Sequence, residues 1–143
     1  MTKNSKIIEL PINVVSEILS QAQQNSEQEI CGFIAEKNGC ISHVYPIENA
    51  ATNPQEFFQM NGKEQITVMR EMRERGESLF AIYHSHPRGN AYPSRTDIAQ
   101  SEYPDVNYLI VSLGIKGVLD LGGFRIRNGE VDSLEVRVES DSF

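Results

Sequence analysis

The sequence predicts an α+β fold, equally describable as a mixed-sheet α/β fold, in which a mixed β-sheet packs between helices in one domain over residues 1–143. Three observations predict it: two segments with apolar residues at helical spacing, several short β-rich runs placed between and after them, and no linker, repeat or low-complexity stretch to divide the chain. A chain of 143 residues is long enough to bury a core that stands without staples.

The first helix is expected from Pro11 to about Asn25, where Ile12, Val15, Ile18, Leu19 and Ala22 fall on one face and proline occupies the permitted first turn. Residues 29–36 and 40–48 are β-rich runs separated by the turn signal Lys37-Asn38-Gly39, which predicts a hairpin. A polar loop follows from Asn49 to Asn53, and a short strand is expected around Phe57, Phe58 and Met60. Residues 63–75 form the second predicted helix. It carries Ile66, Met69 and Met72 on its apolar face, Arg70/Glu74 and Glu71/Arg75 at i, i+4, and Gly76 as its stop. Leu79 to Tyr83 is a continuous apolar run, as in a strand covered on both faces, and it leads straight into His84. A short helix is expected near Ser94, then strands at 106–113, 118–126 and 131–138, the last two joined through the strong hairpin signal Asn128-Gly129. Leu134, Val136 and Val138 alternate with polar residues, so one face of the final strand is expected to be wet.

Composition excludes several functions. No run approaches the roughly 20 apolar residues that span a bilayer, and Ile7 and Ile8 are followed at once by Glu9 and Pro11, so no export signal core develops. A cytoplasmic protein without a membrane partner is expected. Cys31 and Cys40 make a poor disulfide framework and are expected as free, packed thiols. A net charge of -7 and a pI near 4.9 oppose a nucleic-acid surface, because that affinity rests on Lys and Arg displacing counterions.

The segment that carries chemistry is His84-Ser85-His86-Pro87, six further residues, then Ser94-Arg95-Thr96-Asp97. Histidines at i and i+2 on a strand point to the same face, so both imidazoles can share one metal. Pro87 ends the strand, and the loop after it lets the next helix begin opposite those rings, with Asp97 as third ligand. Two nitrogens and one carboxylate oxygen leave the fourth tetrahedral position open, which marks a catalytic rather than a structural zinc site. Hydrolysis also needs a group to move a proton. Glu29 is the candidate, because it stands at the head of the apolar run Ile30-Cys31-Gly32-Phe33-Ile34, where a solvated charge is usually avoided.

Glu29 before Ile30-Cys31-Gly32, His84-Ser85-His86-Pro87, Ser94 and Asp97 together resemble the JAMM (MPN-plus) metalloprotease motif. The resemblance extends from Glu29 to about Ser112, and Asn49, Asn53, Pro54 and Phe57 resemble the family's middle segment. It implies an MPN-type domain, one Zn2+ per chain on His84, His86 and Asp97, Glu29 as general acid/base for the attacking water, and Ser94 as hydrogen-bond donor to the oxyanion. The chain is close to a bare MPN core and is most similar to the short bacterial members that trim ubiquitin-like sulfur-carrier proteins. That similarity implies a protein substrate with a Gly-Gly tail, cut at the following peptide or isopeptide bond.

Plainer explanations exist for each part. An isolated His-x-His is usually a pair of solvated side chains, Ser94-x-x-Asp97 alone is a capping box, and Glu29 alone is a solvated strand end. Three scarce residue types at a spacing that suits one coordination geometry favour the metal. His43 is expected at the surface, and Arg88 and Arg95 are candidates to hold a substrate carboxylate. A non-catalytic MPN scaffold would ordinarily lack a ligand or the glutamate, and all five residues are present. A non-haem iron enzyme would use the same two histidines and one carboxylate but would leave Glu29 and Ser94 without a role.

Overall fold

The computed structural model describes residues 6–114 and 120–139. Its elements run β1 (Ile7–Pro11), α1 (Ile12–Gln24), β2 (Cys31–Lys37), β3 (Cys40–Ile47), α2 (Gly62–Glu74), β4 (Ser78–His86), α3 (Arg95–Gln100), β5 (Asn107–Ser112), β6 (Asp120–Arg127) and β7 (Glu130–Glu139). The seven strands form one mixed sheet in the order β1-β7-β6-β5-β4-β2-β3. The β4/β5 and β1/β7 pairs are parallel and the remaining neighbours antiparallel.

Side-chain alternation gives this sheet two buried faces. Leu109 and Val111 of β5 join Ala81, Tyr83 and Ile34 against Ile18 and Ala22 of α1, while Tyr108 and Ile110 join Phe33, Ile82 and Phe124 against Val68 and Met72 of α2. Each large apolar side chain so buried contributes about 1.5–3 kcal/mol. The sheet lies between helices, as the sequence predicts. Both hairpins also form where expected: Asn38 and Gly39, and Asn128 and Gly129, all have positive φ, the conformation that a two-residue hairpin turn requires.

Four expectations are corrected. β1 was not foreseen; it is five residues long and derives its place from pairing with β7, with Ile8 and Leu10 buried on the α1 face. The strand expected around Phe57 to Met60 is a loop with a single bridge, Asn49 to Met60, because the Asn49 side chain binds the Phe57 carbonyl and the Gln59 N–H that a ladder would have used. On α2 the buried residues are Val68 and Met72, whereas Ile66 (61% exposed) and Met69 (46%) face out. Val68 and Met72 are one turn apart and meet the sheet together. With so few apolar residues on the helix, spacing alone favoured the wrong partners for Met72. On α1, Ile12 is exposed and Val14 is buried in its place. The early part of the predicted 118–126 strand, residues 118 and 119, lies outside the described residues.

Candidate metal centre

β4 delivers the two histidines. Pairing with β2 on one side and β5 on the other makes its C-terminal half an interior strand, with His84 opposite Ile110 and Cys31. The two imidazoles share the α2 face of the sheet with Ile82 and Ile110, and both are buried. After Pro87 the chain turns, and Ser94 starts α3 by a capping box. Its Oγ accepts from Asp97 N at 3.0 Å, and its own N–H donates to Asp97 Oδ2 at 2.9 Å. The cap therefore holds the Asp97 carboxylate where the imidazoles meet it. Asp97 Oδ2 lies 3.1 Å from Nε2 of His84 and 3.1 Å from Nε2 of His86, and the two nitrogens are 3.2 Å apart.

Glu29 arrives from a distant part of the chain. It precedes β2 rather than opening it, and its peptide is held from several sides: Glu29 N–H donates to the Pro54 carbonyl at 2.7 Å, Ile30 N–H to Ser85 Oγ at 2.9 Å, and Ser85 N–H to the Ile30 carbonyl at 3.0 Å. Its side chain is buried. Ligand atoms of Glu29, His84, His86 and Asp97 all lie within 4.8 Å of one another.

The electrostatics follow from this crowding. Burial lifts the Glu29 carboxyl to about 7, with neighbouring His86 opposing the rise and Asp97 adding to it. Burial also lowers the pKa of His84, which keeps that ring neutral and its nitrogen lone pair available. For His86 burial pulls the same way, but hydrogen bonds to Asp97 and the Asn90 carbonyl raise it. Asp97 is driven the opposite way to its own burial: the two imidazoles hold it well below the usual carboxylate range.

The donor set fits a metal ion on two counts. Among the described residues, two buried polar side-chain atoms have no hydrogen-bond partner, Glu29 Oε1 and His84 Nδ1, and both belong to this group. Separations of 3.1–3.2 Å among the two Nε2 atoms and Oδ2 match three donors on one tetrahedral ion, about 3.3 Å for bonds near 2.0 Å.

The centre borders a cleft of about 810 Å³ whose walls include Glu29, Phe57, His86, Arg88, Tyr92 and Ser94. The structure thus brings together Glu29, His84, His86, Ser94 and Asp97 and sets Arg88 on the cleft, whereas Arg95 is not among its lining residues. Cys31 is buried with its thiol pushed up to about 12, chiefly by burial, and Cys40 is exposed and unpaired with it. His43 is exposed as expected, yet it belongs to a group around the buried Glu77 carboxylate that also includes Ser42 and Tyr45. Two neighbours of the centre carry little signal in the sequence. Phe58 stacks on His84 with ring centroids 4.4 Å apart, and its only sequence signal was an aromatic pair in a polar loop. Ser85 points away from the histidines and pins Ile30. A polar residue inside an apolar strand is the trace it left.

A two-histidine, one-carboxylate group on a mixed sheet between helices, with a glutamate beside it, defines the JAB/MPN class of domain. The chain belongs to the family of prokaryotic homologues of the JAB domain, whose model matches residues 11–122. It is 32% identical over 135 residues to the CysO-cysteine peptidase of Mycobacterium tuberculosis, covering 92% of this chain and 91% of that one. It is 26% identical over 114 residues to the desampylase of Haloferax volcanii, covering 76% and 82%. The solution structure of protein DSY2949 from Desulfitobacterium hafniense superposes with a TM-score of 0.82 at 31% identity over 94% of each chain.

Proposed function

We propose that this protein is a zinc-dependent hydrolase that cleaves a peptide or isopeptide bond after the C-terminal Gly-Gly of a ubiquitin-like sulfur-carrier protein. The observation that carries the proposal is the meeting of Glu29, His84, His86 and Asp97 within 4.8 Å at the side of an open cleft. His84, His86 and Asp97 would hold the ion, and two imidazoles with one carboxylate are a donor set that zinc accepts while leaving a position open. Bound there, it would supply Lewis acidity, polarising a carbonyl and acidifying water.

The chain's own residues do the remaining work. Glu29, at about 7, is suited both to take a proton from the attacking water and to give it to the departing amine. Ser94 Oγ already accepts from Asp97 N, so its hydroxyl hydrogen is free to donate to the carbonyl oxygen as negative charge grows there. Arg88 faces the cleft and can pair with the carboxylate of a short departing segment. Two glycines bring no side chains to clash beside the buried imidazoles, so such a tail reaches the centre where bulkier ones would stop. Relatives named CysO-cysteine peptidase and desampylase, similar over most of both chains, support a peptidase acting on a protein.

The test is to incubate the zinc-loaded protein with a sulfur-carrier protein bearing one or two residues after Gly-Gly, beside copies with Ala-Ala or Val-Val there, and to weigh the products by mass spectrometry. Trimming of the Gly-Gly form alone is expected. Equal trimming of all forms, or none of the Gly-Gly form across several carriers, would overturn the substrate assignment.

A further inference from the structure

Asn49 spends its whole side-chain amide on main-chain groups around the metal centre. Its Oδ1 accepts from Ala51 N and from Gln59 N, each at 3.0 Å, and its Nδ2 donates to the Glu29 carbonyl at 2.9 Å and the Phe57 carbonyl at 2.8 Å. An amide has two donor hydrogens and two acceptor lone pairs, so its capacity is fully used. The loop it grips closes on Glu29 from the other side as well, through the Pro54 carbonyl and Glu29 N–H. One half-buried side chain therefore fastens the main chain of Glu29 to the loop that contains Phe57 and Phe58.

That loop also reaches a metal-binding candidate. The Phe58 ring lies against His84 at 4.4 Å with 26° between the planes. His84 has no hydrogen bond at Nδ1, whereas His86 is oriented there by the Asn90 carbonyl at 2.8 Å. Orientation of a ligating imidazole ordinarily comes from such a bond. For His84 it is left to packing, and Phe58 supplies the stacked face.

We propose that Asn49 is a positioning residue of the metal centre, acting on Glu29 through its carbonyl and on His84 through Phe58. The kinetic half of the proposal rests on the hydrolase reading above; the metal-affinity half stands on the donor set alone. Zinc affinity would be measured by chelator competition for the full chain and for Asn49→Ala, Asn49→Asp, Phe58→Leu and the Asn49→Ala/Phe58→Leu double variant, with circular dichroism to establish folding. The Asp variant is isosteric, keeps both acceptor bonds and sets oxygen against the two carbonyls. Each single variant is expected to bind zinc about tenfold more weakly, as for loss of a group that orients a ligand. The double variant is expected to bind no more weakly than Phe58→Leu, because both changes act through one contact. On a substrate that wild type cleaves, Asn49→Asp should lose about tenfold or more in kcat with KM within twofold. A folded Asn49 variant with wild-type zinc affinity, or fully additive losses in the double variant, would overturn the proposal. If Asn49→Ala does not fold, Asn49→Asp and its combination with Phe58→Leu decide by the same criteria. Should wild type cleave no carrier, the substrate assignment fails while the affinity comparison still decides the role of Asn49.

Discussion

At the scale of single residues, the proposed mechanism separates holding an ion from moving a proton. His84, His86 and Asp97 approach one another to 3.1–3.2 Å, whereas Glu29 stands beside them with an unpartnered oxygen and a raised pKa. Glu29→Gln should therefore keep fold and zinc, measured by elemental analysis, and abolish turnover. Normal turnover by that variant would remove Glu29 from the mechanism. Ser94→Ala should slow turnover on the order of a hundredfold, the loss of one oxyanion donor. It should also cost about 1 kcal/mol in chemical denaturation, because the same hydroxyl caps α3. Cleavage at the wild-type rate with that stability loss would leave Ser94 as a cap alone.

At the scale of elements, β2 is held by contacts that depend on the absence or presence of particular side-chain atoms. A Cβ on Gly32 would strike the Tyr45 carbonyl of β3 and the ring of Tyr83 on β4, which is itself fully buried. Gly32→Ala is expected to destabilise the protein by about 1–3 kcal/mol in urea denaturation, the usual cost of overpacking. The junction of β3 with the α2–β4 turn depends instead on charge. Burial opposes ionisation of Glu77, but hydrogen bonds from Ser42, Tyr45 and His43 outweigh it and lower the carboxyl to about 2. An unfolded glutamate titrates near 4.3. The folded pKa lies below the unfolded one, so this contribution is complete above about pH 4.3 and is lost as pH falls from there through 2. The stability gap between wild type and Glu77→Gln should narrow as pH falls below about 4. A gap that does not narrow below about pH 4 would show that Glu77 is not stabilised as its anion.

At the scale of the whole molecule, the centre joins three separated parts of the chain: the segment before β2, the end of β4 and the first turn of α3. An ion bound there binds only the folded state, so its removal should lower stability by about 2.7 kcal/mol where free metal had stood at 100 times its Kd. For a chain of this size that is a fall in Tm on the order of 5–10 °C. Scanning calorimetry should find the fall after chelation and its reversal by zinc, and His86→Ala should not respond to either treatment. An unchanged wild-type Tm would mean that no ion binds the folded chain tightly, and a His86→Ala protein that still responds would place the ion elsewhere.

The meeting of His84, His86 and Asp97 was legible in the sequence because strand alternation puts His84 and His86 on one face, and a capping box puts Asp97 on the inward turn of a short helix. Those relations are local and follow from backbone geometry alone. Helix spacing, the apolar run before His84 and the two Asn-Gly turns were local for the same reason. What lay beyond them was contact across long separations. β1 exists through pairing with β7 at the far end of the chain, and α2 turned Val68 rather than Ile66 inward because of the sheet it met. Phe58 came to lie on His84 because Asn49 took up the hydrogen bonds that would have made its segment a strand. The sequence by itself determined which atoms could bind a metal and which turns and faces were available. Only the tertiary structure decided that Glu29, separated from His84 by all of β2, β3 and α2, would be buried beside it with a raised pKa, because desolvation and proximity arise when distant segments share one interior.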